Sequence, residues 1–148
     1  MVEFSYVGTQ IIPPGQSVTF NANPVPCRRG LVWWRPGTGA VSLAGVRDRN
    51  QGCGCCQPCT TNYLAEFHAN IAVPTGETVG PISLAFAIDG VNLPESTMTA
   101  TPAAVEEYFN VAAGDNIAIR CGCCQTLTVT NVSDIPVSVD NANLLVSK

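Results

Sequence analysis

The stretch YLAEFHANIAV, residues 63–73, alternates without a break. Tyr63, Ala65, Phe67, Ala69, Ile71 and Val73 fall on one side of an extended chain, and Leu64, Glu66, His68 and Asn70 on the other, because successive side chains of a strand point to opposite faces. Such a period of two predicts a strand buried on one face. PISLAFAIDG, residues 81–90, repeats the device with Ile82, Leu84, Phe86 and Ile88 on the apolar side. Opposite them stand Ser83, Ala85, Ala87 and Asp89; the large residues read as core and the small ones as a face that another surface approaches closely. Asp89-Gly90 is a hairpin signal, since both residues tolerate positive φ.

Outward from these two strands the rest of the chain reads alike. QSVTFNA, GLVWW, AVSLAGV, VAAGDNIAIRC, QTLTVTNVS and IPVSVDNANLLVS are strand-like, with PPG and RPGTG as turns between them, where proline fixes φ and glycine supplies positive φ. TPAAVEEYFNVAAGD reads as a turn running into a strand, with a helix started by Pro102 as the alternative. Short strands with turn signals every 8 to 12 residues or so predict an all-β antiparallel sandwich or barrel. At 148 residues and 46% hydrophobic content the chain builds one sizeable core, so a single domain, 1–148, is expected.

Composition narrows the function classes. Charged residues make up 12% of the chain and the net charge is −4, which argues against a nucleic-acid surface despite the cluster Arg28, Arg29 and Arg35. No run approaches the roughly 18 apolar residues of a membrane span, and no basic segment followed by an apolar one opens the chain. Synthesis in a cytosol without export by the general secretory route is expected, with no membrane partner.

Seven of the eight cysteines lie in CGCCQPC, residues 53–59, and CGCC, residues 121–124; the eighth is Cys27. Cys53, Cys55, Cys56 and Cys59 in the first cluster and Cys121, Cys123 and Cys124 in the second, with Cys27 as a further candidate, read as structural, the clusters sharing one end of the sandwich and joined by disulfides within a chain or between subunits. The alternative is a tetrahedral zinc held by two CxxC pairs. Thioredoxin-like redox chemistry would need a CxxC opening a helix, and the all-β pattern offers none. No cofactor is expected beyond that zinc alternative.

Catalytic constellations are missing. His68, the single histidine, shares a face with Glu66 but has no evident nucleophile beside it, and the adjacent Glu106 and Glu107 need not converge on one substrate. Trp33 and Trp34 suit core, interface or the stacking of a sugar ring. NVS, residues 131–133, fits a glycosylation sequon. The chain is therefore expected not to be an enzyme.

ANIAVPTGETVGPISLAFAIDG, STMTATPAAVEEYFNVAAGDNIAIRCGCC and LTVTNVSDIPVSVDNANLLV resemble the C1q/TNF-like trimeric jelly rolls of Firmicutes and their phages, similar to the C-terminal domain of BclA-type spore-surface glycoproteins. The resemblance covers residues 60–148 and implies an antiparallel jelly roll that forms a homotrimer. Leu64, Glu66, His68, Asn70, Ser83, Ala85 and Ala87 are the expected trimer contacts. The chain lacks the collagen-like stalk of that type, so the resemblance points instead to a structural protein of a phage virion, such as a capsid decoration protein released by lysis. Residues 1–60 would complete the jelly roll and dock on a capsid protein through Arg28, Arg29, Trp33, Trp34 and Arg35. The alternative functions are a receptor- or glycan-binding head on a fibre tip, spore or cell surface, and a zinc protein.

Overall fold

In the computed structural model of the chain, residues 1–27, 30–46, 59–122 and 124–148 are described. They form strands β1 (Val2–Ile12), β2 (Ala22–Val25), β3 (Val32–Trp34), β4 (Val41–Ala44), β5 (Thr60–Ala72), β6 (Ile82–Ile88), β7 (Val91–Asn92), β8 (Met98–Ala100), β9 (Phe109–Arg120), β10 (Cys124–Asn131) and β11 (Val137–Ser147), with one 3-10 turn at Pro94–Ser96. One sheet has the order β2-β1-β11-β5-β9 and the other β3-β4-β10-β6-β7, with β8 added on β6. Every pairing is antiparallel. Neighbours in the sheets are distant in the chain, as when β1 pairs β11 from Val2↔Val146 to Ile12↔Val137.

The alternation in β5 holds along the whole strand: Tyr63, Ala65, Phe67, Ala69 and Ile71 are buried, while Leu64, Glu66 and His68 are exposed. Their burial against Phe4, Phe20, Phe86, Leu43, Leu127 and Leu144 makes one core between the sheets. Each such side chain removed from water contributes about 1.5–3 kcal/mol. Asp89 (φ 50°) and Gly90 (φ 82°) turn β6 into β7, the double positive φ that the Asp-Gly pair announces.

Residues 101–108 form turns rather than a helix. Glu106 takes φ 58° and is held there on both sides. Its N–H donates to Val73 O at 2.8 Å, and its Oε1 accepts from Thr75 N at 3.0 Å. Glu107 Oε2 accepts from Ala103 N at 2.7 Å and caps the turn. The adjacent carboxylates thus act on backbone N–H groups, in place of helical i→i−4 bonding.

The start of the chain departs most from the sequence reading. Val2–Ile12 is a long strand, interrupted where the register slips between Tyr6 and Thr9 opposite an irregularity at Asp140–Asn143. Gly8 (φ 111°) and Asn141 (φ 51°) absorb the bulge, and Gly8 N donates to Asn141 Oδ1 at 3.2 Å. QSVTFNA, by contrast, meets the six-stranded sheet at a single bridge, Ser17↔Thr130, before Ala22 opens β2. Its Val18 and Phe20 are still fully buried.

Candidate functional site

Three surfaces carry the residues with something to do: the outer face of the five-stranded sheet, the cysteine-bearing end, and the outer face of the six-stranded sheet.

On the five-stranded sheet, the register lays outward residues in rows across the strands. Glu3, Leu145, Glu66 and Gly114 form one row, Ser5, Asn143, His68 and Ala112 the next, and Asp140, Asn70 and Asn110 a third. Leu64 lies opposite Asn116 and is 39% exposed. The surface mixes small and amide side chains with the three carboxylates of Glu3, Glu66 and Asp140. Asn110 Nδ2 donates to Asn70 Oδ1 at 3.2 Å, and Asn143 Nδ2 donates to Glu3 Oε1 at 2.6 Å. Asn143 Oδ1 is the exception, a buried acceptor among the described residues with no hydrogen-bond partner. An orphan of this kind costs about 1–3 kcal/mol unless something supplies a donor.

Leu64, Glu66, His68 and Asn70 therefore share one surface. Ser83, Ala85 and Ala87 do not join them, because β6 belongs to the other sheet and faces the opposite side of the sandwich. Ala85 and Ala87 are each 1% exposed within the protomer, flanked in register by Thr130 and Thr128. Ser83 keeps some surface and shares a hydrogen bond with Thr99, Oγ to Oγ1 at 2.9 Å.

At the cysteine-bearing end, Cys59 and Cys121 are joined as a disulfide across a separation of 62 residues. It links the first cluster to the second within one chain. The link extends the β5–β9 ladder by one position beyond Thr60↔Arg120, and Cys121 N donates to Cys59 O at 3.0 Å. Thr61 Oγ1 fixes Val46, donating to its O and accepting from its N, both at 2.9 Å. Gly45 packs so closely on β9 that a Cβ there would run into the carbonyl oxygen of Arg120. Cys53, Cys55, Cys56, Cys123, Arg28 and Arg29 lie outside the described residues.

Tyr63 ties this end to the core. Its side chain crosses from one sheet to the other, and its hydroxyl donates to Ala44 O at 2.6 Å. Burial pushes that hydroxyl above the ordinary tyrosine range, and negative charge on the nearby Cys27 and Cys124 adds to the rise. Beside it a cleft of about 570 Å³ is lined by Val25, Cys27, Leu31, Val32 and Val146. Among the described residues no group of three or more His, Cys, Asp or Glu side chains is placed to hold a metal. No helix among them is long and apolar enough to cross a membrane.

On the six-stranded sheet, alternation splits the tryptophan pair. Trp34 turns inward, its ring centroid 5.5 Å from that of Phe4, and its Nε1 donates to Thr38 O at 2.8 Å. Trp33 turns outward and is 47% exposed. Arg35 is exposed in the turn that follows. Asn131 of the sequon is fully buried and has no free amide. Its Nδ2 donates to Ile12 O at 2.9 Å and Ile135 O at 3.0 Å, and its Oδ1 accepts from Ser133 N at 2.8 Å. The NVS stretch is a structural turn, not an accessible glycan acceptor.

No protein-family model matches the chain. No curated protein matches it by sequence. Solved structures do. The globular domain of zebrafish complement 1qA protein superposes with TM-score 0.61 at 15% identity, covering 97% of this chain and 94% of that one. An Eiger TNF from S. frugiperda gives TM-score 0.58 at 10% identity, with 97% and 90% covered. Murine APRIL gives 0.50 at 10% identity, with 93% and 96% covered. Together with the two antiparallel sheets and their strand order, these likenesses give the chain the jelly-roll fold of C1q and TNF domains.

Proposed function

We propose that the chain is a non-enzymatic structural protein, a homotrimer assembled through the outer face of its five-stranded sheet, which decorates the shell of a phage virion. The observation that carries the trimer is the character of that face. It is wide and rich in small and amide side chains, with Ala112 and Gly114 on its edge strand letting a second backbone come close. The virion placement rests on the sequence resemblance to phage jelly rolls. It is supported by the Cys59–Cys121 bond: a disulfide formed on release by lysis hardens a particle protein against unfolding. The protein holds no metal in this reading.

Two experiments test it. Ala112→Arg places a long cation at the close approach proposed along the β9 edge without touching the core, so the variant is expected to sediment as a folded monomer where the parent sediments as a trimer. A parent that is already monomeric at micromolar concentration removes the proposal. For the virion placement, the protein is expected to band with intact particles in a density gradient of the producing culture's lysate. Recovery in the soluble fraction alone refutes that half.

A further inference from the structure

Trp33 sits on the edge strand β3, and the register continues from it to Ser42 on β4 and Thr126 on β10. All three point outward, since the residues that alternate with them, Val32, Val41, Leu43 and Leu127, are buried in the core. Asp89 closes the row on the far side. Its backbone N donates to Thr126 O at 2.9 Å, and its carboxylate accepts from Thr126 N at 2.8 Å and Gln125 Nε2 at 3.0 Å. Those donors hold the Asp89 carboxyl below the usual carboxylate range. With neighbouring strands about 4.8 Å apart, the row from indole to carboxylate is roughly 14 Å long. The outward positions next to it on β10 are further hydroxyls, Thr128 and Thr130, with Ala87 and Ala85 flush beside them.

We infer that this row is a binding site for a neutral glycan chain, with the Trp33 indole stacked on a pyranose ring and Ser42, Thr126 and Asp89 meeting the hydroxyls of the rings that follow. The chemistry selects this ligand class. Trp33 is a large, half-exposed aromatic amid hydroxyls, which suits the amphipathic face of a sugar better than an apolar peptide. The Asp89 carboxylate sets a negative charge at the end of the row, which a neutral chain meets more easily than a polyanion. Among the described residues the small side chains build no walls, so the site fits an extended chain rather than an enclosed monosaccharide. The row lies within one protomer and on the sheet opposite the proposed trimer contact, so it stands whether or not the trimer reading does.

The test is affinity electrophoresis of the full chain through gels containing soluble neutral polysaccharides (mixed-linkage β-glucan, xyloglucan, galactomannan and dextran), with polygalacturonate as the anionic comparison. Retardation by at least one neutral polymer is expected, together with a shift in tryptophan emission on titration with its oligosaccharides. Trp33→Ala should weaken binding roughly tenfold or more, Trp33→Tyr should retain part of it, and Thr126→Val should lower it several-fold. Circular dichroism and oligomeric mass should be unchanged in Trp33→Ala, whose indole is half in solvent. The inference is overturned by no retardation in any neutral polymer, by retardation in polygalacturonate alone, or by binding that Trp33→Ala leaves intact.

Discussion

Replacing Cys59 and Cys121 by serine cuts a cross-link that closes a 62-residue separation. The folded protein loses little by this. β5 and β9 stay paired through twelve register pairs, and the backbone bond from Cys121 N to Cys59 O remains. The cost falls on the unfolded chain, which regains the entropy of an open loop. For a loop of this size that amounts to about 14 cal/mol/K, or about 4 kcal/mol at 25 °C. Against a typical total of about 5–15 kcal/mol this is a large fraction. Urea unfolding followed by circular dichroism, at one fixed protomer concentration because assembly adds to stability, should show a midpoint lowered accordingly. It should also show a steeper m-value, since the opened chain exposes more surface. The oligomeric mass should not change. A loss under about 1 kcal/mol with an unchanged m-value would refute the reasoning, as would a double variant that unfolds outright while its mass falls.

Two other substitutions probe the fold. Asn131→Ala strands the carbonyls of Ile12 and Ile135 and the N–H of Ser133; a loss of about 3 kcal/mol is expected in the same assay, and a variant as stable as the parent would show that the turn holds itself. Tyr63→Phe tests the raised hydroxyl. The folded protein keeps the Tyr63 proton at pH values where the unfolded chain gives it up, so the stability it confers is full below about pH 10 and is lost as pH climbs through the folded value. The variant should lose about 1 kcal/mol at neutral pH and show a flatter decline in urea midpoint between pH 9 and 11.5. An identical decline in both proteins would place its origin elsewhere.

Strands whose faces differ sharply in polarity were legible in the sequence, and β5, β6 and the Asp89-Gly90 turn are the plainest. β1 was not, because its alternation breaks at the bulge around Gly8 and because Val7 and Ile11, 78% and 60% exposed, put apolar residues on the outside. QSVTFNA misled in the opposite sense. Val18 and Phe20 have the burial of strand residues, yet their N–H groups bond to Val129 O and Thr38 O, so the segment crosses the sandwich instead of extending a sheet. For the candidate sites, β5 parity placed Leu64, Glu66, His68 and Asn70 on one face, as the structure has them. It could not show that Ala85 and Ala87 face the other way, since which sheet a strand joins is decided by pairing between distant segments. The proposed roles of Ala112, Ser42, Thr126 and Asp89 were not legible for the same reason: each rests on the register partner beside it. The bond between Cys59 and Cys121 likewise follows from the β5–β9 register, which no local spacing encodes.

Native mass spectrometry of the purified protein, run with and without a reductant, tests most directly whether a sheet face holds this assembly together. The account predicts a mass of three 15.5-kDa chains in both runs, with no added zinc and with each oxidised chain two hydrogens lighter for every disulfide. A single-chain mass at micromolar concentration, a trimer that falls apart on reduction alone, or a zinc-loaded chain with every thiol retained would contradict it.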